Sequence, residues 1–250
     1  MSIRFGEKTW EEIADYAKRD AVILFPVGTT EEHGSHLPVA TDAIIAEDFG
    51  NELGFACESA GIPVLLMETI QYGFSMSIIR KWPGCPNVPT RAFMDYIYHI
   101  VDSLVLMEFR KIVLLDCHGN HDCLLRTVMR EIADRHNVYI MILSPAALCA
   151  KEYGEIKKDP EGDIHGGEYE TSCMLHIRPD LVRTDRYTDA DKITCNGPLR
   201  GPVSTWGLQL TKTGLFGDPT QAHAETGKQC MDAAVRHGVE YVSAYLCHKL

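Results

Sequence analysis

The sequence has no apolar run long enough to cross a membrane. Its longest wholly apolar stretch covers residues 21–27, whereas a membrane-spanning helix needs roughly 20 apolar residues. The first twelve residues, MSIRFGEKTWEE, are too polar for a secretory signal peptide. We therefore expect a cytoplasmic protein without a membrane partner.

The sequence also lacks paired cysteines. Its nine cysteines are an odd number, and no two of them have C-x-x-C spacing. This pattern matches neither a zinc ribbon nor a disulfide framework. Scattered thiols of this kind are typical of a reducing cytoplasm.

Positive charge is scarce. Lys and Arg total 24 against 35 for Asp and Glu, which gives a net charge of -11. A field of this sign repels the phosphates of nucleic acids and of anionic lipids. The sequence therefore favours a small-molecule substrate over a nucleic acid partner.

The chain has the composition of a globular protein, with 250 residues, of which 45% are hydrophobic and 24% charged. Chains of this length in α/β proteins commonly form one core. No repeat and no long polar linker divides the sequence. We expect one domain over residues 1–250.

Apolar runs of strand length alternate with stretches of helical period. These runs cover residues 21–27, 62–67, 112–115 and 138–143. They are rich in Val, Ile and Leu without strict alternation, which is typical of parallel strands buried on both faces. Amphipathic helical spacing lies between them, and Thr9 and Glu12 form the pattern of a capping box. The sequence predicts an α/β fold, a three-layer α/β/α sandwich around a mostly parallel sheet.

The pattern changes after about residue 144, where the chain becomes rich in Gly, Pro and charge. We expect a short helix over about 168–177 and a long irregular region through Asp218, folded over the ends of the sheet. A final helix over about 222–246 should be interrupted or kinked near Gly238, because glycine weakens a helix interior.

Histidine and carboxylate residues cluster at three places that follow strands or begin helices. The clusters contain Glu31, His33 and Asp42, then His118 and His121, and then Asp163, His165, Glu168 and Glu170. The first two clusters lie past strand ends, where open α/β sheets bind their ligands. Each cluster alone could be helix-start carboxylates and core histidines. Together they favour one composite site.

The mixture of carboxylate and imidazole suits zinc, manganese or iron. Carboxylates can also bridge two metals, and such a centre polarises a carbonyl and generates hydroxide near neutral pH. The three clusters therefore predict a metal-dependent site.

Three segments of the chain resemble the signature segments of the creatininase (creatinine amidohydrolase) family. They are GTTEEHGSHLPVATD, LLDCHGNHD and HGGEYETSCMLHIRPDLV, in the family's order. The similarity extends to YGFS at 72–75, Pro-Gly at 83–84 and GLFGDP at 214–219. The resemblance implies a single creatininase-like hydrolase domain that forms a homo-oligomer, often a hexamer. It also implies two divalent ions per chain, Zn²⁺, Mn²⁺ or Fe²⁺.

Carried over position by position, the resemblance assigns most of the metal ligands. Glu31 would bind one ion and His33 the other. Asp42 would bridge both ions, and His118 would complete the first.

One ligand of the second ion is missing. Creatininase has a metal-binding glutamate two residues after the equivalent of His118, where this chain has Asn120. Glu170 is the first candidate to replace it, since it lies one turn into a helix and its position is acidic in the family motif. Glu168 and His121 are the reserve candidates.

The resemblance also assigns the acid–base residues. His165 matches the active-site histidine and would pass a proton to the leaving group. We also expect Asp163, two residues before it, to orient the His165 imidazole or contact the substrate. Cys117 could be a nucleophile, but no separate base accompanies it, so packing beside His118 explains it better.

Two further departures bear on the substrate. Creatininase has a lid tryptophan just before the equivalent of Asp163, where this chain has Gly162. Many relatives have a histidine two residues before the Pro-Gly pair, where this chain has Lys81, preceded by Arg80. These cations either solvate a loop or line a pocket for an oxygen-rich or anionic substrate. The departures disfavour creatinine and place the chain closer to the other members of the family.

The leading hypothesis is a metal-dependent hydrolase in which metal-bound hydroxide attacks a carbonyl of a small polar cyclic substrate or small amide. The first alternative is a ring-opening C–C hydrolase of a cyclic inositol ketone such as 3-dehydro-scyllo-inosose, in carbohydrate or inositol catabolism. An alternative from another class is a non-catalytic metal- or ligand-binding protein on the same fold. Only an enzyme needs His165 to face the ions.

Overall fold

The structure of the chain is a computed structural model that describes residues 2–159, 165–188 and 212–247. Its strands are β1 (Val22–Val27), β2 (Val64–Leu66), β3 (Lys111–Asp116) and β4 (Tyr139–Leu143). Its α-helices are α1 (Trp10–Lys18), α2 (Thr41–Ser59), α3 (Thr90–Leu106), α4 (Asp122–His136), α5 (Pro145–Leu148), α6 (Ala150–Ile156), α7 (Glu168–Ile177) and α8 (Ala224–Cys247). None of the helices in these ranges is long and apolar enough to span a bilayer.

The four strands form one parallel sheet in the order β2-β1-β3-β4. Val22 in β1 pairs with Val64 on one side and with Lys111 on the other. The strand order therefore reverses between β1 and β3, which run side by side at the centre. In open α/β sheets the crevice beyond the carboxyl ends of two such strands is the usual ligand site.

The side chains of β1 alternate between two apolar layers. Leu24 belongs to the layer that contains Phe49 of α2, whereas Phe25 belongs to the layer that contains Phe93 of α3. Every residue of β1 is buried, because helices cover both faces of the sheet. The predicted three-layer α/β/α sandwich is thereby confirmed.

The beginning of α1 follows the predicted capping box. The Glu12 backbone N–H donates to Thr9 Oγ1 at 3.3 Å, and the Thr9 N–H donates back to the Glu12 carboxylate at 2.8 Å. Two backbone donors that a helix leaves unpaired are satisfied in this way.

The structure contradicts the predicted interruption of the last helix. Helix α8 continues without interruption past Gly238. A side chain at this position would press on Leu53 of α2, so the glycine allows α2 and α8 to approach closely instead of breaking the helix. The helix predicted over 168–177 coincides with α7, whereas α5 and α6 were not predicted. Much of the predicted irregular region, residues 189–211, lies outside the described residues.

Gly227 of α8 provides a stability test. A β-carbon there would overlap the backbone carbonyl of Ser172 in α7, and backbone cannot yield as a side chain does. We expect Gly227→Ala to destabilise the fold by about 3 kcal/mol, which is about 6–12 °C in Tm for a chain of this size. Thermal unfolding followed by circular dichroism measures the shift.

Gly154 of α6 is the matched control, because a β-carbon there would meet no atom within 4 Å in the part of the chain that the structure describes. Gly154→Ala should leave Tm unchanged or raise it slightly, since alanine restricts the unfolded chain. A Gly227→Ala protein that melts together with the control would disprove the close contact between α7 and α8.

Candidate active site

The first site residues follow β1 directly. After Val27 the chain forms a loop that the Glu31 N–H closes by donating to the Val39 carbonyl at 2.8 Å. This loop leads into α2, whose first turn carries Asp42. Glu31, His33 and Asp42 are consequently brought together although eleven positions separate the outer two, and all three are buried.

The carboxyl end of β3 adds His118 to this group. The Cys117 N–H donates to the Val27 carbonyl at 3.1 Å, which continues the pairing of β3 with β1. The His118 N–H donates to the Asp116 carboxylate at 3.2 Å. These backbone contacts hold the His118 ring over the end of the sheet, beside Asp42.

The Asp42 carboxylate lies between two imidazoles. Its Oδ1 is 3.1 Å from His33 Nε2, and its Oδ2 is 3.0 Å from His118 Nδ1. Glu31 Oε1 is 3.5 Å from His118 Nδ1, and Glu170 Oε2 is 3.7 Å from His33 Nε2. The structure thus brings together all five residues predicted as ligands, in two groups that share Asp42: Glu31, Asp42 and His118, and His33, Asp42 and Glu170.

The two reserve candidates have other contacts. The Glu168 carboxylate accepts hydrogen bonds from the Lys158 and Asp159 N–H groups at 2.8 and 2.7 Å. His121 Nε2 accepts from the Phe74 N–H at 3.1 Å, and its ring stacks on Phe93. Glu170 Oε2 also accepts a backbone N–H, that of Gly166 at 2.6 Å, but it lies 3.7 Å from His33 Nε2 and within reach of Asp42. Of the three candidates for the missing ligand, the geometry therefore favours Glu170.

Mutual charge dominates the electrostatics of this cluster. Burial opposes ionisation of Asp42, but the adjacent His33 and His118 rings hold the pKa of Asp42 well below its usual range. Burial likewise opposes protonation of His118, but Glu31 and Asp42 raise the pKa of His118 to about 9. Burial raises the pKa of Glu31. The carboxylates of the cluster thus attract positive charge strongly.

The donor set fits divalent metal ions. Neither carboxylate oxygen of Glu31 has a hydrogen-bond partner among the described residues, although the side chain is buried. The His33 Nδ1 is 3.1 Å from the Glu31 carbonyl, so in the neutral ring Nδ1–H donates there and Nε2 keeps its lone pair. A backbone acceptor of this kind is the usual second contact of a metal-binding histidine. Mixed carboxylate and imidazole ligands suit zinc, manganese and iron.

His165 lies against the same cluster. Its Nε2 is 2.6 Å from the Glu32 backbone carbonyl, and its Nδ1 is 3.7 Å from Glu31 Oε1. Burial lowers the pKa of His165 to about 3. The neutral ring therefore donates from Nε2 to Glu32, and the Nδ1 lone pair faces the cluster.

Two features that place His165 were not predicted. The His165 N–H donates to the Phe216 carbonyl at 3.1 Å, and the Phe216 N–H returns a bond at 2.9 Å. The second feature is the backbone carbonyl of Glu32, which accepts the hydrogen bond from His165 Nε2. The Glu32 side chain is buried, and its carboxylate accepts a hydrogen bond from the Gly34 N–H. The segment GLFGDP contains Phe216 and was part of the family resemblance, but nothing in its sequence indicated a partner.

A cavity of about 240 Å³ opens beside the cluster. Its walls include Glu31, Met76, Ile79, Asn120, His165 and Phe216. Arg80 and Lys81 are exposed, and the Lys81 ammonium lies over the Trp82 ring, 4.3 Å from its centroid. Neither cation is part of the described cavity wall.

Two of the predicted positions, Gly162 and Asp163, lie outside the described residues.

The Cys117 thiol lies next to His118 in the sequence, and burial together with the nearby Asp116 raises the pKa of this thiol well above the ordinary value. The thiol therefore stays protonated near neutral pH, which agrees with the expectation that it is not a nucleophile.

Comparison with known proteins gives the family. A family profile described as "Creatininase: Creatinine amidohydrolase" matches residues 6–242, which is nearly the whole chain. The chain belongs to the creatininase family. The resemblance inferred from the three segments is confirmed.

Curated relatives of this creatininase-family hydrolase have different names. A mycofactocin precursor peptide peptidase of Mycobacterium tuberculosis is 28% identical over 90% of this chain and 85% of its own. A creatinine amidohydrolase of Pseudomonas putida is 28% identical over 75% and 76%. A 3-dehydro-scyllo-inosose hydrolase of Thermotoga maritima is 24% identical over 92% and 79%. The first two identities are equal, so identity does not distinguish between their substrates.

Solved creatininase structures share the fold of this family member. One described as "Creatininase Mn" superposes with a TM-score of 0.84 at 23% identity, covering 99% of this chain and all of the other. A mutant creatininase described as "Zn-Zn type" gives 0.83 at 23% identity with the same coverage. At these identities the likeness shows the fold.

Proposed function

We propose that this chain is a metal-dependent amidohydrolase with two divalent ions, zinc or manganese, held by the five clustered side chains. The observation that carries the proposal is the position of Asp42, whose two carboxylate oxygens face His33 and His118 at 3.1 and 3.0 Å. A carboxylate with one oxygen toward each of two ligand groups is suited to bridge two ions. The solved creatininases described with Mn and Zn support the choice of metals.

Different residues of the chain would bind the ions and transfer the proton. Ions bound there would polarise a carbonyl and lower the pKa of water. Glu31 and His118 would hold one ion, His33 and Glu170 the other, and Asp42 would fix their separation. His165 would accept a proton at Nδ1 and pass it to the leaving nitrogen, while its Nε2–H bond to the Glu32 carbonyl keeps the ring oriented.

The position of His165 supports an enzyme over a protein that only binds metal. A binding protein needs the ligands but no group that exchanges protons beside them. Here the His165 Nδ1 lies 3.7 Å from Glu31 Oε1, and His165 lines the cavity together with Glu31.

A second candidate function is ring opening at a C–C bond of a cyclic inositol ketone. The similarity to the Thermotoga maritima inosose hydrolase, over 92% of this chain, favours it. The same residues would serve, since a ketone carbonyl is polarised in the same way as an amide carbonyl. The leaving atom would then be carbon, and His165 would protonate it.

The Glu170 assignment gives a prediction for metal content. We expect Glu170→Gln to reduce bound metal from about two ions to about one per chain, since a neutral amide is a poorer ligand. Elemental analysis of the gel-filtered protein measures the change.

Glu168→Gln is the matched control, because it makes the same change two residues away, where the carboxylate binds backbone N–H groups. This variant should keep about two ions. If Glu170→Gln also keeps two, Glu170 is not a ligand.

The test of the function combines metal analysis with a substrate screen. The purified chain should contain about two equivalents of zinc or manganese and should hydrolyse a formamide, lactam or short peptide amide. Chelation should abolish the activity, and adding the metal back should restore it. Hydrolysis restricted to cyclic ketones would favour the second candidate, and a metal-free chain with activity would disprove the proposal.

The expected assembly follows from the family. We propose a homo-oligomer, a hexamer by family resemblance, that acts on a small molecule in the cytoplasm. Sedimentation velocity would measure a mass of about six chains, and a monomer at micromolar concentration would contradict this.

A further inference from the structure

A second and larger cavity adjoins the one beside the cluster. The inner cavity has a volume of about 240 Å³, and the outer one has about 500 Å³. His118, Gly119 and Glu170 line both. Pockets for drug-sized ligands span roughly 300–1,000 Å³, so the inner cavity is small alone, whereas the two together fit a larger molecule.

Gly119 lies at the junction of the two cavities. A β-carbon on Gly119 would meet no atom of the described residues within 4 Å, so a side chain at this position would project into the cavities. Its backbone is not among the positive-φ glycines, so the conformation would accept other residues. Glycine is therefore not required here for its backbone conformation, and a larger side chain at this position would occupy the space where the two cavities meet.

The walls of the outer cavity are largely small and aromatic. Ala147 and Ala150 are exposed on its surface, and Tyr153 packs edge-on against Tyr169 with ring centroids 5.4 Å apart. Among its ionisable groups, the Asp122 carboxylate is paired with Arg126 at 2.8 Å.

The other acidic and basic residues of this wall are Asp116, Lys157 and the two candidate metal ligands shared with the inner cavity, His118 and Glu170. Asp116 is buried and accepts the His118 N–H, while Lys157 is exposed. A wall of small side chains and tyrosine rings suits an apolar or aromatic group.

We propose that the outer cavity is a second substrate subsite, which accepts an apolar, ring-sized group attached to the amide that is hydrolysed beside Asp42. The substrate class is then an extended amide with an apolar or aromatic substituent. This inference rests on the proposed function, because the inner cavity must hold the reacting carbonyl.

The test compares two hydroxamates, which bind divalent ions through the same group. Acetohydroxamate reaches only the inner cavity, whereas 3-phenylpropanohydroxamate carries a phenyl ring on a short linker. We expect calorimetry on the zinc-loaded full chain to show at least about tenfold tighter binding of the phenyl compound, since burying a ring of this size is favourable by at least that factor.

Ala150→Phe should fill the outer cavity and bring the ratio of the two dissociation constants close to one. Ala92→Phe, the same change at an exposed residue of α3, should retain the ratio. Gly119→Leu is a second variant that should lower the ratio by narrowing the passage.

The outcomes separate the two proposals. If neither hydroxamate binds, the metal centre is wrong and the subsite fails with it. If both bind the unaltered chain equally, or if both cavity variants retain the full ratio, the outer cavity is not a subsite, while the metal centre stands.

Discussion

Asp42→Asn should remove both metal ions and lower kcat/KM by about a thousandfold or more. Asp42 is 1% exposed and stands between the two candidate ligand groups. The amide has no charge and presents one oxygen, so it cannot bridge two cations as a carboxylate does. The loss of metal chemistry is worth several kcal/mol of transition-state stabilisation, and each 1.36 kcal/mol is about tenfold in rate. Elemental analysis and initial rates measure the two effects.

Asp48→Asn is the control on the same helix. Asp48 lies six residues after Asp42, which is about 9 Å along the helix axis. It lines a separate surface pocket with Glu52 and His176, away from both cavities described above. This variant should keep both ions and its activity. An Asp42→Asn protein that folds, by circular dichroism, and still holds two ions would show that Asp42 is not the bridging ligand.

The fold was predictable where local pattern and tertiary packing agree. The central strand β1 is fully buried, so its sequence is uniformly apolar and marks it clearly. The interruption predicted at Gly238 was wrong because local pattern and tertiary packing disagree there. The local cost of this glycine to a helix is visible in the sequence, but its benefit, contact with Leu53, depends on a helix that lies far away along the chain.

Helices α5 and α6 could not be predicted because their stability comes from packing. The segment contains Gly154 and several charges, which weaken its helical pattern. Leu148, Tyr153 and Ile156 nevertheless pack against the core layer beneath α8. Tertiary contacts of this kind regularly outweigh local propensity.

The choice between Glu168 and Glu170 shows how far sequence reasoning could go in the site. Both glutamates lie in the first turn of α7, so their chemistry and approximate position were readable. Side chains two positions apart in a helix are rotated by about 200° around the helix axis, so only one of Glu168 and Glu170 can face His33. Which one it is depends on how α7 docks on the sheet, and sequence alone does not specify that orientation.

The orientation of the His165 ring was beyond sequence analysis for a related reason. Its hydrogen-bond acceptor, the Glu32 carbonyl, lies 133 positions earlier in the chain. A backbone carbonyl has no residue-specific signal. The sequence therefore indicated which imidazole is available but not which of its nitrogens faces the ligands.

His165→Ala should keep both ions and the fold while lowering kcat by about 100-fold or more, the usual scale for losing a general acid or base. The ring is positioned by the Glu32 carbonyl on Nε2, with Nδ1 toward Glu31. Removing it deletes the proton-transfer group, whereas the five carboxylate and imidazole ligands remain. Because the substitution leaves a ring-sized space, added imidazole should restore part of the activity. Initial rates with and without imidazole test this.

Metal content distinguishes this role from the competing one, in which His165 is itself a ligand. His165 Nδ1 also belongs to a group with Glu31 and His33 that could hold an ion. A ligand role predicts that His165→Ala loses about one ion per chain and that added metal, rather than imidazole, restores turnover. The exposed His99 of α3 supplies the control, since His99→Ala should change neither quantity. Full turnover by His165→Ala with both ions bound would mean that neither role applies and that the proton comes from another group.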